Sequence, residues 1–400
     1  MPNLADRLHC TGCSACYNSC GKKAIQMKKD AEGFLFPDIN LDLCVKCGMC
    51  EKVCPVLNSI TEPLKAVPDV YAMWSIPDRE KSSSGGAFSA LARYVLDQKG
   101  VVFGASFTQN LEVKHVVVDS VDDLDALRGS KYMQSELGES YRLVRQYLKN
   151  NRMVLFSGTP CQIAGLKAYL GKEFDLLLTV DLACHGVPSN QMFQSYLKKL
   201  ECKLELGKKS ACIQSFEFRR RNGWGFAPSI IASNGEKINL FGVDALYMEA
   251  FNASALFRNS CYICKYAKFP RVGDCSIADF WGIGRYGIPF KHDVMKGVSL
   301  LMANSVKGQQ VISNLKNVFL EKRTLEEALI ENHNLKSPSV RNLNRDAIVE
   351  SFLDDSQTLE SINQKYNLVD RSAKAILKNY ASKLGLFSVA KKIYNWYKAR

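Results

Sequence analysis

Two cysteine runs of identical spacing limit what the amino-terminal segment can fold around. The first reads Cys10-x2-Cys13-x2-Cys16-x3-Cys20; the second, in CVKCGMCEKVCP, reads Cys44-x2-Cys47-x2-Cys50-x3-Cys54 and is followed by Pro55. Gaps of two residues wrap the backbone around one corner of a cubane, so that three thiolates converge on three irons while nearby amides donate to the sulfides. The fourth cysteine of each run points away and, where two clusters share a fold, ligates the other one. This spacing assigns one 4Fe-4S cluster to Cys10, Cys13, Cys16 and Cys54, and a second to Cys44, Cys47, Cys50 and Cys20. Paired C-x2-C motifs also make tetrahedral zinc sites, but zinc gives no reason for the third and fourth cysteines of each run.

Residues 1–62 are therefore expected to form a bacterial-type ferredoxin domain, α+β and ferredoxin-like, with two 4Fe-4S clusters. Gly21 stands where a proline usually follows the fourth cysteine, a departure that removes no ligand. The start MPNLADRLHC lacks the basic-then-apolar pattern of a secretory signal. No apolar run approaches the roughly 20 residues that span a bilayer. A cytoplasmic location is the expectation, and in that reducing compartment regularly spaced thiols are read as metal ligands before disulfides. Eight of the fifteen cysteines fall within residues 10–54, so the regular spacing accounts for more than half of them.

The net charge of +13 would suggest nucleic acid if it covered one folded face. Residues 371–400, however, hold eight Lys or Arg and no Asp or Glu, so most of the excess sits in a basic tail and no nucleic-acid partner is expected. Within that tail Leu386, Val389, Ile393, Trp396 and Tyr397 make a helical stripe opposed by Lys391, Lys392 and Lys398. This pattern suits a helix lying in an anionic membrane interface, which would put the protein peripherally at the inner membrane face. It suits equally a helix docked on the protein with a solvated basic face.

Between ferredoxin segment and tail, PVLNSITEPLKAVPDV carries three prolines and reads as a linker. From residue 66, DVYAMWS, GVVFGASF, VKHVVVDS, RMVLFSG and DLLLTVDLAC read as strands, with helices over GGAFSALARYVLDQKG and CQIAGLKAYL. The expectation is an α/β domain with a mixed sheet over 66–310, and a helical basic region over 311–400. No G-x-G-x-x-G follows a strand, so the common nicotinamide fold has no support.

Three loops carry chemistry. Ser82, Ser83, Ser84, Gly85 and Gly86 precede a helix, where small residues let amides approach an anion, although such runs are also plain helix caps. Gly158, Thr159 and Pro160 turn into Cys161 at a helix start, a position that favours the thiolate. Cys184 ends a buried strand, with His185 beside it. Further on, Cys261-x2-Cys264 is a metal-type pair with only two ligands, which Cys161 and Cys184 could complete; buried structural cysteines are the alternative. Cys202, Cys212 and Cys275 read as structural. Arg219, Arg220 and Arg221 suit an anionic substrate, a diphosphate or a solvated strand edge, and His185 a proton donor or a hydrogen-bonding residue.

Taken together, SSSGGAF, LRGSKYMQS, LFSGTPCQIAGL, DLACHGVPS, CYICKY and RVGDCSIADFWG resemble, in matching order over residues 68–305, the family of beta subunits of coenzyme F420 hydrogenases and dehydrogenases. The resemblance implies an FAD-containing flavoprotein oxidoreductase with a third 4Fe-4S cluster near the flavin, held by Cys161, Cys184, Cys261 and Cys264. It also implies that Ser82 to Gly86, Lys131, Gly158 and Thr159 hold FAD. Relatives act on a deazaflavin, a chlorophyll intermediate or surface-polysaccharide intermediates, so the resemblance fixes the electron path better than the small-molecule substrate. A ferredoxin-like or other redox protein is the implied partner. Two classes compete: a flavin and iron-sulfur enzyme with its own organic substrate, with His185, Arg219 and Arg221 at the reaction, and a non-catalytic relay subunit of a larger redox complex. A zinc-bearing nucleic-acid protein is a third.

Overall fold

The computed structural model describes residues 2–58, 64–219, 224–225 and 228–369. The basic tail, Arg220 and Arg221 lie outside the described residues. The amino-terminal unit contains α1 (Ala15–Ser19), the antiparallel hairpin of β1 (Ile25–Lys29) and β2 (Leu35–Ile39), and α2 (Met49–Lys52). The chain continues through β3 (Asp69–Ser75), α3 (Ala87–Leu96), β4 (Val101–Phe107), β5 (Val113–Val118), α4 (Ser140–Lys149), β6 (Val154–Gly158), α5 (Pro160–Leu170), β7 (Leu177–Leu182) and α6 (Asn190–Lys203). A small antiparallel sheet of β8 (Ile213–Glu217), β9 (Ser229–Ala232) and β10 (Lys237–Asn239) is followed by α7 (Leu246–Asn252). The remaining elements are β11 (Cys275–Asp279), β12 (Ser299–Ala303), α8 (Val306–Ser313), β13 (Val318–Arg323), α9 (Leu325–Ile330), α10 (Arg345–Leu353) and α11 (Leu359–Tyr366).

The large sheet has the order β13-β3-β12-β11-β7-β6-β4-β5. β4, β6, β7 and β11 pair in parallel, and β12 runs antiparallel to both β11 and β3. β3 therefore points the same way as β11, and the carboxyl ends of β3, β4, β6, β7 and β11 share one edge. In open α/β sheets that edge is where ligands sit.

Alternation along the strands explains the two covered faces. Val102, Leu155, Leu178 and Val180 face α3 and α8, whereas Val101, Phe103, Val154, Phe156 and Leu177 face α4 and α5. Cys13, Ala15 and Val53 of the amino-terminal unit join the second of these clusters, so that unit packs on the α4–α5 side. The mixed sheet and the five sequence-read strands appear as expected. The expected boundary at residue 310 is corrected: it falls within α8, and β13 pairs along β3 in the large sheet. Residues 345–366 likewise belong to the body, because Ile348, Val349, Phe352, Leu359 and Ile362 join the core around α6 and α7. No helix among the described residues is long and apolar enough to cross a membrane.

Three arginines of the body reach into the amino-terminal unit. Arg258, 1% exposed, donates from Nε to the Cys10 carbonyl at 2.7 Å and from Nη2 to the Leu35 carbonyl at 3.1 Å, and lies 4.0 Å from the centre of the Phe36 ring. Arg142 donates to the Asn18, Tyr17 and Cys20 carbonyls at the end of α1, where helix carbonyls lack intrahelical partners. Arg345, fully buried, pairs with the Glu32 carboxylate. Replacing Arg258 with Ala should lower unfolding stability by at least about 3 kcal/mol, since several buried hydrogen bonds from one charged group are lost together. It should also speed proteolysis between residues 55 and 68. Denaturant melts and timed digestion check this, and unchanged cleavage in the linker would reject Arg258 as an anchor.

Candidate functional site

The candidate site is built where β6 and β7 end. β6 stops at Gly158, Thr159 takes the N-cap, and Pro160 opens α5 at a position that needs no amide donor. Thr159 and Gln162 form a capping box, and the Thr159 Oγ1 lies 3.1 Å from the Cys161 Sγ. Gln162 is itself held: its Nε2 donates to the Ser135 Oγ at 3.1 Å, and that hydroxyl donates to the His115 Nδ1 at 2.7 Å. The remaining ring nitrogen of His115, Nε2, donates to the Ser157 carbonyl at 2.9 Å, which fixes the tautomer. Burial lowers the His115 pKa to about 4, so the ring is neutral and the chain of bonds is complete.

The end of β7 is braced in a second way. Asp181, with no exposure, accepts from the Arg271 Nη2 at 2.8 Å, from the Ser276 hydroxyl and from the Val272 and Gly273 amides. Arg271 also donates to the Leu182 and Tyr266 carbonyls. One guanidinium thus ties the strand leading to Cys184 to the loop that follows Cys264.

These braces bring Cys161, Cys184, Cys261 and Cys264 to the wall of one cavity, together with Thr11, Thr159, His185, Tyr266 and Arg271. Burial pushes the Cys161 thiol up to about 11 and the Cys261 thiol to about 12; Cys184 and Cys264 are raised as well. Neighbouring thiols add to the effect at Cys161, Cys184 and Cys261. At Cys161 lost hydration opposes the helix terminus that favours a thiolate, and a bound cation would favour the thiolate form of these sulfurs. Among the described residues no three His, Cys, Asp or Glu side chains are grouped so as to hold a single metal ion. The four cysteines line one shared cavity, and four thiol ligands are the donor set a 4Fe-4S cluster takes.

A second cavity is lined by Cys10, Cys13, Cys16 and Cys54. Cys54 of the second run thus lies at one cavity with three cysteines of the first. Burial raises the Cys13 thiol to about 12, and Cys10, Cys161 and Cys54 contribute. Thr11 lines both cavities, and Tyr266 of the inner one donates to the Pro55 carbonyl at 3.4 Å. Of the second run, Cys50 is buried, Cys44 is half-buried and Cys47 is exposed among the exposed Leu41, Leu43, Val45 and Met49. The Cys20 Sγ accepts from the Ala24 amide at 3.3 Å.

The expected flavin residues share the same sheet edge. Ser82 and Ser84 spend their hydroxyls on the Asp78 and Val298 carbonyls, and the Ser83 hydroxyl accepts the Ser130 amide at 3.3 Å, joining this loop to the one that carries Lys131. The Lys131 ammonium donates to carbonyls between Ala126 and Gly129, closest at Arg128, 2.9 Å away. Asp78 fastens both loops through Arg93 and Arg128. Gly85 is required by close packing, since a Cβ there would stand 2.2 Å from the Met73 carbonyl oxygen.

His185 lines the inner cavity, and its imidazole is lowered by lost hydration there against the pull of the Asp279 carboxylate. Arg219 is held bidentately by Asp279, at 2.5 and 2.9 Å, and lies over the Trp281 ring. Trp281 stacks on Trp224, whose Nε1 donates to the same carboxylate. Sequence reasoning missed Asp181, Arg271, Asp279 and Trp281, although DLAC, RVGDC and ADFWG carry them. The remaining cysteines divide: Cys275 is buried in β11, while Cys202 and Cys212 are exposed.

Comparison with known proteins bears on these positions. Residues 70–141 match the N-terminal model of the family described as coenzyme F420 hydrogenase/dehydrogenase, beta subunit, and residues 151–328 match its C-terminal model, together more than half of the chain. Residues 9–58 match the 4Fe-4S dicluster domain. A curated relative, one of the subunits of the F(420)H(2) dehydrogenase of Methanosarcina mazei, is 29% identical over 175 residues, 40% of this chain and 49% of that protein. The chain thus spans about half the length of that relative. A solved structure, a xenon derivative of the F420-reducing NiFe hydrogenase complex from Methanosarcina barkeri, aligns with a TM-score of 0.44 and 17% identity, over 77% of this chain and 94% of that one.

The His115 network sets an acid limit. Between the ordinary histidine value of 6.5 and about 4, the unfolded chain takes up a proton that the folded chain refuses, so stability falls as pH drops through this window. By pH 5 the loss should be about 2 kcal/mol. His115→Gln should flatten the difference between melting points at pH 7 and pH 5. An equally steep decline in the variant would place the acid sensitivity elsewhere.

Proposed function

Because the chain belongs to the family of coenzyme F420 hydrogenase/dehydrogenase beta subunits, we propose that it is an iron-sulfur flavoprotein oxidoreductase that passes electrons between a redox protein and an organic two-electron substrate. The observation that carries this reading is the gathering of Cys161, Cys184, Cys261 and Cys264 on one cavity that shares Thr11 with the cavity of Cys10, Cys13, Cys16 and Cys54. Neither set alone needs the other; their adjacency is what an electron relay requires.

In this reading the first-run set with Cys54, the second-run set with Cys20, and the inner set would each hold a 4Fe-4S cluster. FAD would lie on the carboxyl edge, its phosphates toward the amides of Ser83 to Gly86 at the start of α3 and its ring toward Gly158 and Thr159. When bound, the flavin would supply hydride exchange with the substrate and single-electron exchange with the clusters. The chain's own part is positional. Asp78 keeps the Ser82–Gly86 and Ser130–Lys131 loops together, Arg271 and Asp181 hold the cavity wall, and the thiol burial keeps water from the inner sulfurs. His185 stands at that wall as a group able to hold a proton, and Arg219, fixed by Asp279, presents Trp281 beside it. The exposed Cys47, with Leu41, Leu43, Val45 and Met49 around it, is where a one-electron partner would approach. The deazaflavin in the family's name is the first substrate to test.

Protein purified without oxygen should contain about twelve irons and one FAD, and Cys161→Ser or Cys264→Ser should retain about eight irons. With dithionite-reduced dye it should turn over coenzyme F420 or another organic acceptor. About eight irons in the unaltered chain would remove the inner cluster. Full iron and flavin with no turnover unless a partner is added would make it a relay subunit. Zinc in place of iron and sulfide would end the redox reading.

A further inference from the structure

Thr11 sits between Cys10 and Cys13, at the point where the two cysteine-lined cavities meet. Its backbone is firmly held: the Thr11 carbonyl accepts from the Gln134 Nε2 at 2.9 Å, and Arg258 secures the preceding Cys10 carbonyl and reaches the Gln134 Oε1 at 3.3 Å. Its side chain is not. The Thr11 Oγ1 is shut off from solvent and has no hydrogen-bond partner in the protein. Leaving a buried hydroxyl unpaired costs about 1–3 kcal/mol, and valine would fill nearly the same volume without that cost. The walls on either side are cysteine sulfurs, which accept hydrogen bonds weakly as thiols and well as thiolates.

Resting on the reading of both cysteine sets as cluster ligands, we infer that the Thr11 hydroxyl donates a hydrogen bond to sulfur at the partition between the two clusters and raises the reduction potential of the one it contacts. Reduction adds negative charge that spreads onto the sulfurs, and a fixed O–H dipole pointing at one of them stabilises the reduced form more than the oxidised form. Thr11 is thus a positioning and tuning residue. It supplies no ligand, and its substitution leaves every cysteine in place.

The test is a redox titration followed by electron paramagnetic resonance on the full chain prepared without oxygen, comparing the unaltered protein with Thr11→Val and Thr11→Ser. In Thr11→Val one midpoint should fall by about tenfold in its equilibrium constant, which is roughly 59 mV for a one-electron couple. The other midpoints should stay put, and Thr11→Ser, which keeps the hydroxyl, should restore the value. Unmoved midpoints in Thr11→Val, or a Thr11→Ser protein that behaves like it, would overturn the inference. So would loss of iron or sulfide in Thr11→Val alone, since that makes the residue a structural support. Iron and sulfide content of the unaltered chain judges the cluster reading separately: iron for the ferredoxin sets only would fail that reading, whereas full iron and sulfide with unmoved midpoints in Thr11→Val would fail the role of Thr11 alone.

Discussion

The contact between α5 and the loop from Cys10 to Cys13 is the constraint on which the rest of the arrangement depends. Gly165 lies where a Cβ would come within 2.9 Å of the Cys13 Cβ and 3.0 Å of its Sγ. No larger residue allows the amino-terminal unit to seat there without a shift in backbone or cysteine. Four residues earlier on the same helix is Cys161, about 6 Å along the axis at 1.5 Å per residue. One helical turn therefore sets the separation between a cysteine of the first run and a cysteine of the inner set. The burial of Arg258, Arg142 and Arg345 against carbonyls and Glu32 secures this seat from three sides.

Such close seating has an electrostatic consequence. Buried sulfurs of the two sets feel each other's neighbourhood: Cys161 adds to the rise at Cys13, and thiols of both sets add to the rise at Tyr266. Burial favours the protonated thiol at Cys13, Cys16, Cys161, Cys184, Cys261 and Cys264. Binding of iron would release those protons and replace mutual repulsion with attraction. Iron binding at the inner site would then be coupled to docking of the amino-terminal unit, because Thr11 and Cys13 of that unit lie against the inner site.

How much of this was legible in the sequence follows from the range of the interactions involved. The paired cysteine runs report a local geometry, and a two-residue gap can be read without knowing the fold. Strands such as Val101–Phe107 and Leu177–Leu182 were visible because burial on both faces leaves continuous apolar runs. β13 was hidden: Val318–Arg323 is an edge strand with a mixed, half-buried pattern, and its polar composition reads as helix or loop. The meeting of Cys161, Cys184, Cys261 and Cys264 could be suspected from strand ends and no more, since it depends on the order in which β6, β7 and β11 pair. The charged pairs that fix the site, Asp181 with Arg271 and Asp279 with Arg219, join partners far apart in the chain and leave no periodic trace.

Exposure differs among the cysteines of the three sets. Cys47 is open to solvent, Cys13, Cys50 and Cys54 are buried, and Cys161, Cys184, Cys261 and Cys264 are half-buried on the wall of the inner cavity. Burial disfavours added negative charge, so lost hydration alone would make a cluster held by buried sulfurs harder to reduce. Donors near the sulfurs work in the other direction. The Thr159 hydroxyl lies 3.1 Å from the Cys161 Sγ and is held there by Gln162, Ser135 and His115. Arg258, which anchors the amino-terminal unit, also eases the burial cost at Cys161 and Cys261. The groups that fix the position of the inner cysteines are therefore the same groups that offset their desolvation, so loosening the inner site would also change how easily a cluster held there would take an electron.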